Sequence, residues 1–384
     1  MVRAAVPAAP AAKPMLPSTP LDHPWGYRHR VHFVFGGGAM GHYARGSRRV
    51  VPVRECPVHD PRGNEVAFAF RDALRATHAS PLPRGHASPV QGIAIRVGAT
   101  TGETMATLVV TRDSDTRVRA ASREAVADAQ PTSFHVNVHP KRDGFVFGPE
   151  TRRITGPERM REEVAGISFL ISPTAFFQTN IAAAEILVRL VLDAVGENGG
   201  IGGDGSTRRH RVTENSSSRE HLRSPVSPCE TVPSGRSGFS ILDLYAGAGL
   251  FALPLARAGH TVTAVEEHRQ AVGDGEASVR LNRIPAARCT FIASPVEKWR
   301  PGRGAPAPDV VILDPPREGC TPQVIDRIFG RLRPPNAIYI SCSPDALARD
   351  LAAIAARGYT IGSLQPVDMF PHTEHVETVV TLRR

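Results

Sequence analysis

From Phe239 onward the chain alternates strands with helices so regularly that few architectures fit. Apolar runs at 240–246, 261–266, 289–293, 309–313 and 337–341 read as strands, and segments at about 249–258, 268–283, 322–332 and 345–357 read as helices. Strands joined through helices need crossover connections, so they predict an α/β fold: a doubly wound, mostly parallel sheet with helices on both faces. The last two runs, 359–369 and 377–383, have no helix between them and are expected to pair antiparallel at one side of that sheet.

The first half has a different character. Residues 1–24 are rich in Ala and Pro and read as a disordered tail. Tyr27 to Phe35 alternates basic and apolar residues with a period of two, as a strand with one wet, positive face does, and the glycines at 36–38 then form a turn. Further β-like runs at about 48–54, 92–98, 105–112 and 133–138, with a helix near 66–76, make residues 25–160 a smaller β-rich module whose basic strand fits nucleic-acid phosphates and a solvated sheet face equally. Residues 161–384 form the second domain, with a strand at 167–171 and a helix at 181–196 capped by Thr179 or Asn180. It is interrupted by a Gly-, Ser- and Arg-rich insertion, 198–238, expected to be flexible.

In 384 residues the formal net charge is +9, which suits a polyanionic partner. The five cysteines, at 56, 229, 289, 320 and 342, show no disulfide framework and no metal-binding CxxC spacing, which points to a reducing, cytoplasmic setting. Neither a membrane span nor the apolar stretch of a signal peptide is present, and a monomer is expected.

Three motifs carry chemistry. LDLYAGAGLF at 242–251 ends a strand and opens a helix, with Gly247 and Gly249 allowing a ligand close to the backbone and Glu266 at the next strand end able to bind ribose hydroxyls. That much fits S-adenosylmethionine and a nicotinamide dinucleotide equally. LDPPREG at 313–319 is a rigid turn that presents the Asp314 carboxylate and peptide carbonyls, groups suited to the polar edge of a planar base. SCSP at 341–344 stops a strand at Cys342 and starts a helix, with Ser343 as N-cap and Pro344 at the first helical position. A thiol ahead of a helix N-terminus is expected to have its thiolate stabilised, although most free cysteines are small buried hydrophobes.

Together with FQTN at 177–180 and DMFPHTEHVETV at 368–379, and with weaker similarity at YRHRVHF (27–33) and NVHPKR (137–142), these motifs resemble the RNA 5-methyluridine (uracil-C5) methyltransferases. The resemblance implies S-adenosylmethionine as cofactor, ribosomal or transfer RNA as partner, Cys342 as nucleophile and Glu377 as general base. It places Gln178, Tyr245, Gly247, Gly249, Glu266 and Asp314 around cofactor and base, with Tyr27, Phe177 and the FPH loop as candidate stacking groups. His372 and His375 are expected in RNA contact or loop packing rather than on a metal.

Departures from the family pattern are Ser343 for a frequent Asn, Leu250 for a frequent Asn, and Pro295 for an acid or amide after the third strand. Cys56 matches the last of four cluster-binding cysteines whose other three are missing, so no complete iron–sulfur site is expected. The other readings are a cytosine-C5 methyltransferase, a nicotinamide oxidoreductase, and a non-catalytic RNA-binding or RNA-folding protein on the same fold.

Overall fold

The computed structural model describes Leu16, Ser18 and residues 23–80, 88–141, 146–198, 238–302 and 306–384. The expected tail at 1–24 and insertion at 198–238 lie almost wholly outside the described residues. Among the described residues, two seven-stranded sheets and a small two-stranded one organise the fold.

The first sheet is built from β1 (Arg30–Gly36), β2 (Ala39–Tyr43), β3 (Val50–Pro52), β4 (Val90–Val97), β5 (Thr104–Val110), β6 (Ser133–Val138) and β7 (Glu150–Thr155), in the order β3-β2-β1-β4-β5-β6-β7. Gly37 and Gly38 both take positive φ, as the two-residue turn between β1 and β2 requires. Helices α1 (Pro61–Ala76) and α2 (Thr116–Ala129) cover one face and bury Phe33, Phe70, Leu74 and Phe134 against the sheet. The parallel pair β5–β6 needs a crossover, and α2 supplies it. That helix, with β2, β7 and the strand Met160–Val164, goes beyond the elements expected from sequence, although Asp115 caps α2 by accepting from the N–H groups of Arg117 and Val118.

The wet, positive face expected for the basic strand is not wet. Strand β1 lies inside the sheet, and the basic residues Arg28 and Arg30 are half-buried, one against Phe370 and the other against Phe147. Arg30 pairs across the strands with Arg96, which is only 5 % exposed and donates to the Ala175 carbonyl at 2.8 Å. The Arg30 guanidinium lies 5.5 Å from the Phe147 ring and that of Arg28 lies 5.6 Å from Phe370. Period-two alternation stated what alternates and not what covers it.

The second sheet comprises β10 (Ser240–Leu244), β11 (Thr261–Glu266), β12 (Cys289–Ala293), β13 (Val310–Leu313), β14 (Asn336–Ser341), β15 (Thr360–Val367) and β16 (Glu377–Arg383), in the order β12-β11-β10-β13-β14-β16-β15. Its strands run parallel apart from β16, which is antiparallel to both of its neighbours. The last two strands therefore pair antiparallel at one side of the sheet, as expected, with β16 between β14 and β15 and β15 at the edge. The composition of β16 fits an interior place, since Val379, Val380 and Leu382 are buried and cover both faces.

Successive strand residues feed opposite layers. Ile241, Ile312 and Ile338 pack under α3 (Ile181–Asn198), α4 (Ala252–Arg257) and α5 (Arg269–Leu281), while Leu242, Val311 and Tyr339 pack under α6 (Pro322–Ile325), the π-helix 326–332 that continues it, and α7 (Pro344–Ala355). The hairpin of β8 (Met160–Val164) and β9 (Ile167–Ile171) lies against α5, where Ser278 accepts the Leu170 N–H at 2.9 Å. No helix among the described residues is long and apolar enough to cross a membrane.

Phe177, expected at the ligand, is 3 % exposed and packs against Phe169 with ring centroids 5.2 Å apart. Phe177→Ala should therefore cost about 3–5 kcal/mol of stability in a denaturant titration, as buried aromatic truncations do. A cost below about 1 kcal/mol would contradict this placement.

Candidate active site

The strand order reverses between β10 and β13, the switch point where open α/β sheets bind ligands beyond their carboxyl ends. Tyr245 follows β10, Glu266 ends β11, Asp314 follows β13 and Cys342 follows β14, so four of the predicted residues reach this edge. Glu377 arrives from the opposite direction. Because β16 runs antiparallel, Thr378 pairs with Ser341, and the first residue of β16 stands beside the end of β14.

The remaining wall is the segment 172–180, fixed at three points. The buried Asp274 carboxylate accepts the Ser172 N–H at 2.7 Å, Arg96 holds the Ala175 carbonyl, and Asn180 donates to the Met369 carbonyl at 2.8 Å while capping α3. These anchors leave Phe176 and Gln178 facing inward.

The result is a cavity of about 620 Å³ whose lining includes Gln178, Tyr245, Gly247, Glu266, Asp314, Cys342 and Glu377. Gly249 does not reach it. A side chain there would meet Leu253 and Phe291, so that glycine, at φ +89°, serves the turn. Gly247 also has positive φ, but nothing lies within 4 Å of where its Cβ would be, and its N–H donates to Glu266 Oε2 at 2.9 Å. The His268 N–H holds the other oxygen of Glu266 at 2.8 Å.

Sequence reasoning missed several lining residues. Phe176, 59 % exposed, takes the place expected for Phe177; one-residue register between adjacent phenylalanines decides which is core. Tyr27 is also buried and donates its hydroxyl to the Pro371 carbonyl at 3.0 Å, so it braces the FPH loop instead of presenting a ring. Phe370 of that loop does line the cavity, whereas His372 stacks on Trp25 at 4.0 Å and His375 meets Phe370 edge-on. Arg317, Glu267 and Glu297 add to the charged lining.

Of the departures, Ser343 still caps α7, accepting the Ala346 N–H at 3.4 Å. Leu250 is buried in the apolar layer. Pro295 opens a turn whose next residues, Val296 and Glu297, line the cavity, and Glu297 accepts the Tyr245 hydroxyl at 3.2 Å.

Electrostatics corrects the expectation for the thiol. Cys342 is half-buried, and burial followed by the negative charge of Glu377 pushes its pKa up; Arg317 pulls the other way and does not win. Local helix-end geometry is outweighed by burial first and then by Glu377 from distant sequence. Glu377, 5 % exposed, is itself raised by burial and then by Asp314, with Arg317 opposing, and Asp314 is raised by burial.

A carboxyl whose folded pKa is raised holds its proton in the folded state after the unfolded chain has lost it. Its stabilisation is complete below the ordinary value of 4.5 and is lost as pH rises to about 8. Without ligands, stability should fall across that window, and Glu377→Gln should make the fall shallower in denaturation midpoints measured at several pH values. Parallel curves for the two proteins would contradict the buried pair.

A family model described as tRNA (Uracil-5-)-methyltransferase matches residues 307–384, the stretch that holds Asp314, Cys342 and Glu377. An uncharacterized RNA methyltransferase of Gloeobacter violaceus is 33 % identical over 382 residues, covering 97 % of this chain and 74 % of the relative. One from Thermosynechococcus vestitus is 34 % identical over 377 residues, covering 96 % and 74 %. Among solved structures, Pyrococcus abyssi tRNA (uracil-54, C5)-methyltransferase in complex with S-adenosyl-L-homocysteine superposes with a TM-score of 0.73 at 24 % identity, over 95 % of this chain and 78 % of that one, and so shares the fold. With relatives matched along nearly its whole length, the chain belongs to the RNA methyltransferase family.

Proposed function

We propose that the chain methylates carbon 5 of a uridine in structured RNA, transfer or ribosomal, with S-adenosylmethionine as donor. The observation that carries this reading is the meeting of Cys342 and Glu377 with Asp314 in one cavity, which the antiparallel β16 brings about.

The cavity suits the cofactor on its own terms. The space over Gly247 is free of protein atoms, and Glu266, oriented by two backbone N–H groups, offers a carboxylate to ribose hydroxyls. Tyr245, Gly247, Gln178 and Glu266 would hold it, and when bound it supplies an electrophilic methyl group.

The chain's own residues do the rest. Uracil carbon 5 is a weak nucleophile. The Cys342 thiolate forms a bond to carbon 6, which places electron density on carbon 5. After carbon 5 is methylated, Glu377 takes the proton from that carbon, the double bond between carbons 5 and 6 re-forms, and the bond to Sγ breaks. The reaction needs Cys342 and Glu377 deprotonated, and both are raised in pKa, so it should accelerate toward alkaline pH.

A target base must leave its stack to enter, at a cost of a few kcal/mol. Phe176 and Phe370, at the cavity, are the aromatic surfaces that can offset it, in place of Tyr27 and Phe177.

The test is release of tritium from RNA labelled at uridine carbon 5, using transfer and ribosomal RNA pools from a deletion strain. Release is expected with one pool, reduced at least about 100-fold by Cys342→Ser and about 10-fold by Phe176→Ala, a loss within the range for a base stacked on an aromatic ring. No release with either pool would overturn the enzymatic reading and favour a non-catalytic RNA-binding role.

A further inference from the structure

Asp350 lies eight residues beyond Cys342 on α7 and is 0 % exposed. A buried carboxylate is costly unless its lone pairs are filled, and here four donors converge on it. Oδ2 accepts the Cys320 backbone N–H at 2.7 Å and the Tyr339 hydroxyl at 2.6 Å. Oδ1 accepts Nε and Nη2 of Arg349 at 3.0 and 2.8 Å, and Nη2 also donates to the Glu318 carbonyl at 2.5 Å.

These partners belong to three pieces of the site. Tyr339 sits on β14, three residues before Cys342; Asp350 and Arg349 sit on the helix that follows it; Glu318 and Cys320 end the turn that carries Asp314 and Arg317. Gly319 shows how close the turn is drawn. It has φ +77°, and a Cβ there would lie 2.6 Å from both Arg349 Nη2 and Asp350 Oδ2.

We propose that Asp350, with Arg349, is a positioning residue: it fixes the spacing between the Cys342 strand–helix junction and the Asp314–Cys320 turn, and so sets where the base is held relative to the thiol. It touches neither base nor cofactor, since it does not line the cavity. For its kinetic consequence the proposal rests on the uracil-C5 reading above; for its structural consequence it does not.

Asp350→Asn keeps shape and one acceptor but sets an amide against Arg349, and Arg349→Met removes the tether to Glu318 from a half-exposed position, so folding survives in the second variant if the first is lost. Activity per active site, with sites counted by S-adenosylhomocysteine titration, should fall about 10- to 100-fold in Asp350→Asn and less in Arg349→Met, with KM for RNA within about threefold, because displacements of about 1 Å cost on that order. Amide hydrogen exchange, which needs no activity, should quicken across 316–320 in both variants while β10 and β11 stay protected. Unchanged exchange at 316–320, or a loss of activity that vanishes once active sites are counted, would overturn the proposal. If wild-type protein transfers no methyl group, local quickening of exchange still supports it and global quickening refutes it.

Discussion

The candidate site depends on one antiparallel pairing. Six strands of the second sheet run the same way and deliver their residues to one edge from their carboxyl ends; β16 runs back between β14 and β15 and delivers Glu377 to that edge from its amino end. The thiol and the carboxylate are separated by 34 intervening residues and brought together by a register, Ser341 opposite Thr378. A one-residue slip would turn Glu377 to the other face of the sheet. The apolar residues on both faces of β16 resist that slip, so core packing and site geometry have the same cause.

That proximity has an electrostatic consequence. Cys342, Asp314 and Glu377 share a cavity in which burial disfavours every negative charge, and Arg317 is the cation that opposes it. Burial first, and then the neighbouring Glu377, push the pKa of the thiol up, with Arg317 opposing. A cationic donor would shift the balance toward the thiolate, so the proposed nucleophile would be most reactive when the site is loaded and guarded when it is not. Asp350 stabilises the framework from behind, through the strand before the thiol and the turn beside it.

Much of this was legible in the sequence, for a physical reason. Parallel strands buried on both faces read as continuous apolar runs, so β10, β11, β13 and β14 stood out, as did the Ser343–Pro344 start of α7. What was not legible depends on pairing across distance. The place of β16 is decided by its neighbours, although its run of valines already suited an interior strand. The cover over Arg30 and Arg96 comes from segments 50 or more residues away, around Phe147 and Ala175. The choice of Phe176 over Phe177 rests on the anchoring of Ser172 and Asn180. The helix end, a local cue, did not indicate that burial and then Glu377 push the Cys342 thiol up. Helix α2 is a different case: its Asp115 cap was present in the sequence and was overlooked.

The central claim, that the Cys342 thiol attacks the base while Glu377 later removes a proton from it, is tested most directly with RNA in which the target uridine carries fluorine at carbon 5. Fluorine cannot leave as a proton, so the account predicts a denaturant-stable protein–RNA complex that forms only with S-adenosylmethionine, carries the transferred methyl group, and maps by mass spectrometry to the peptide containing Cys342. Absence of such a complex with RNA that is otherwise methylated, or a cross-link at another residue, would contradict it.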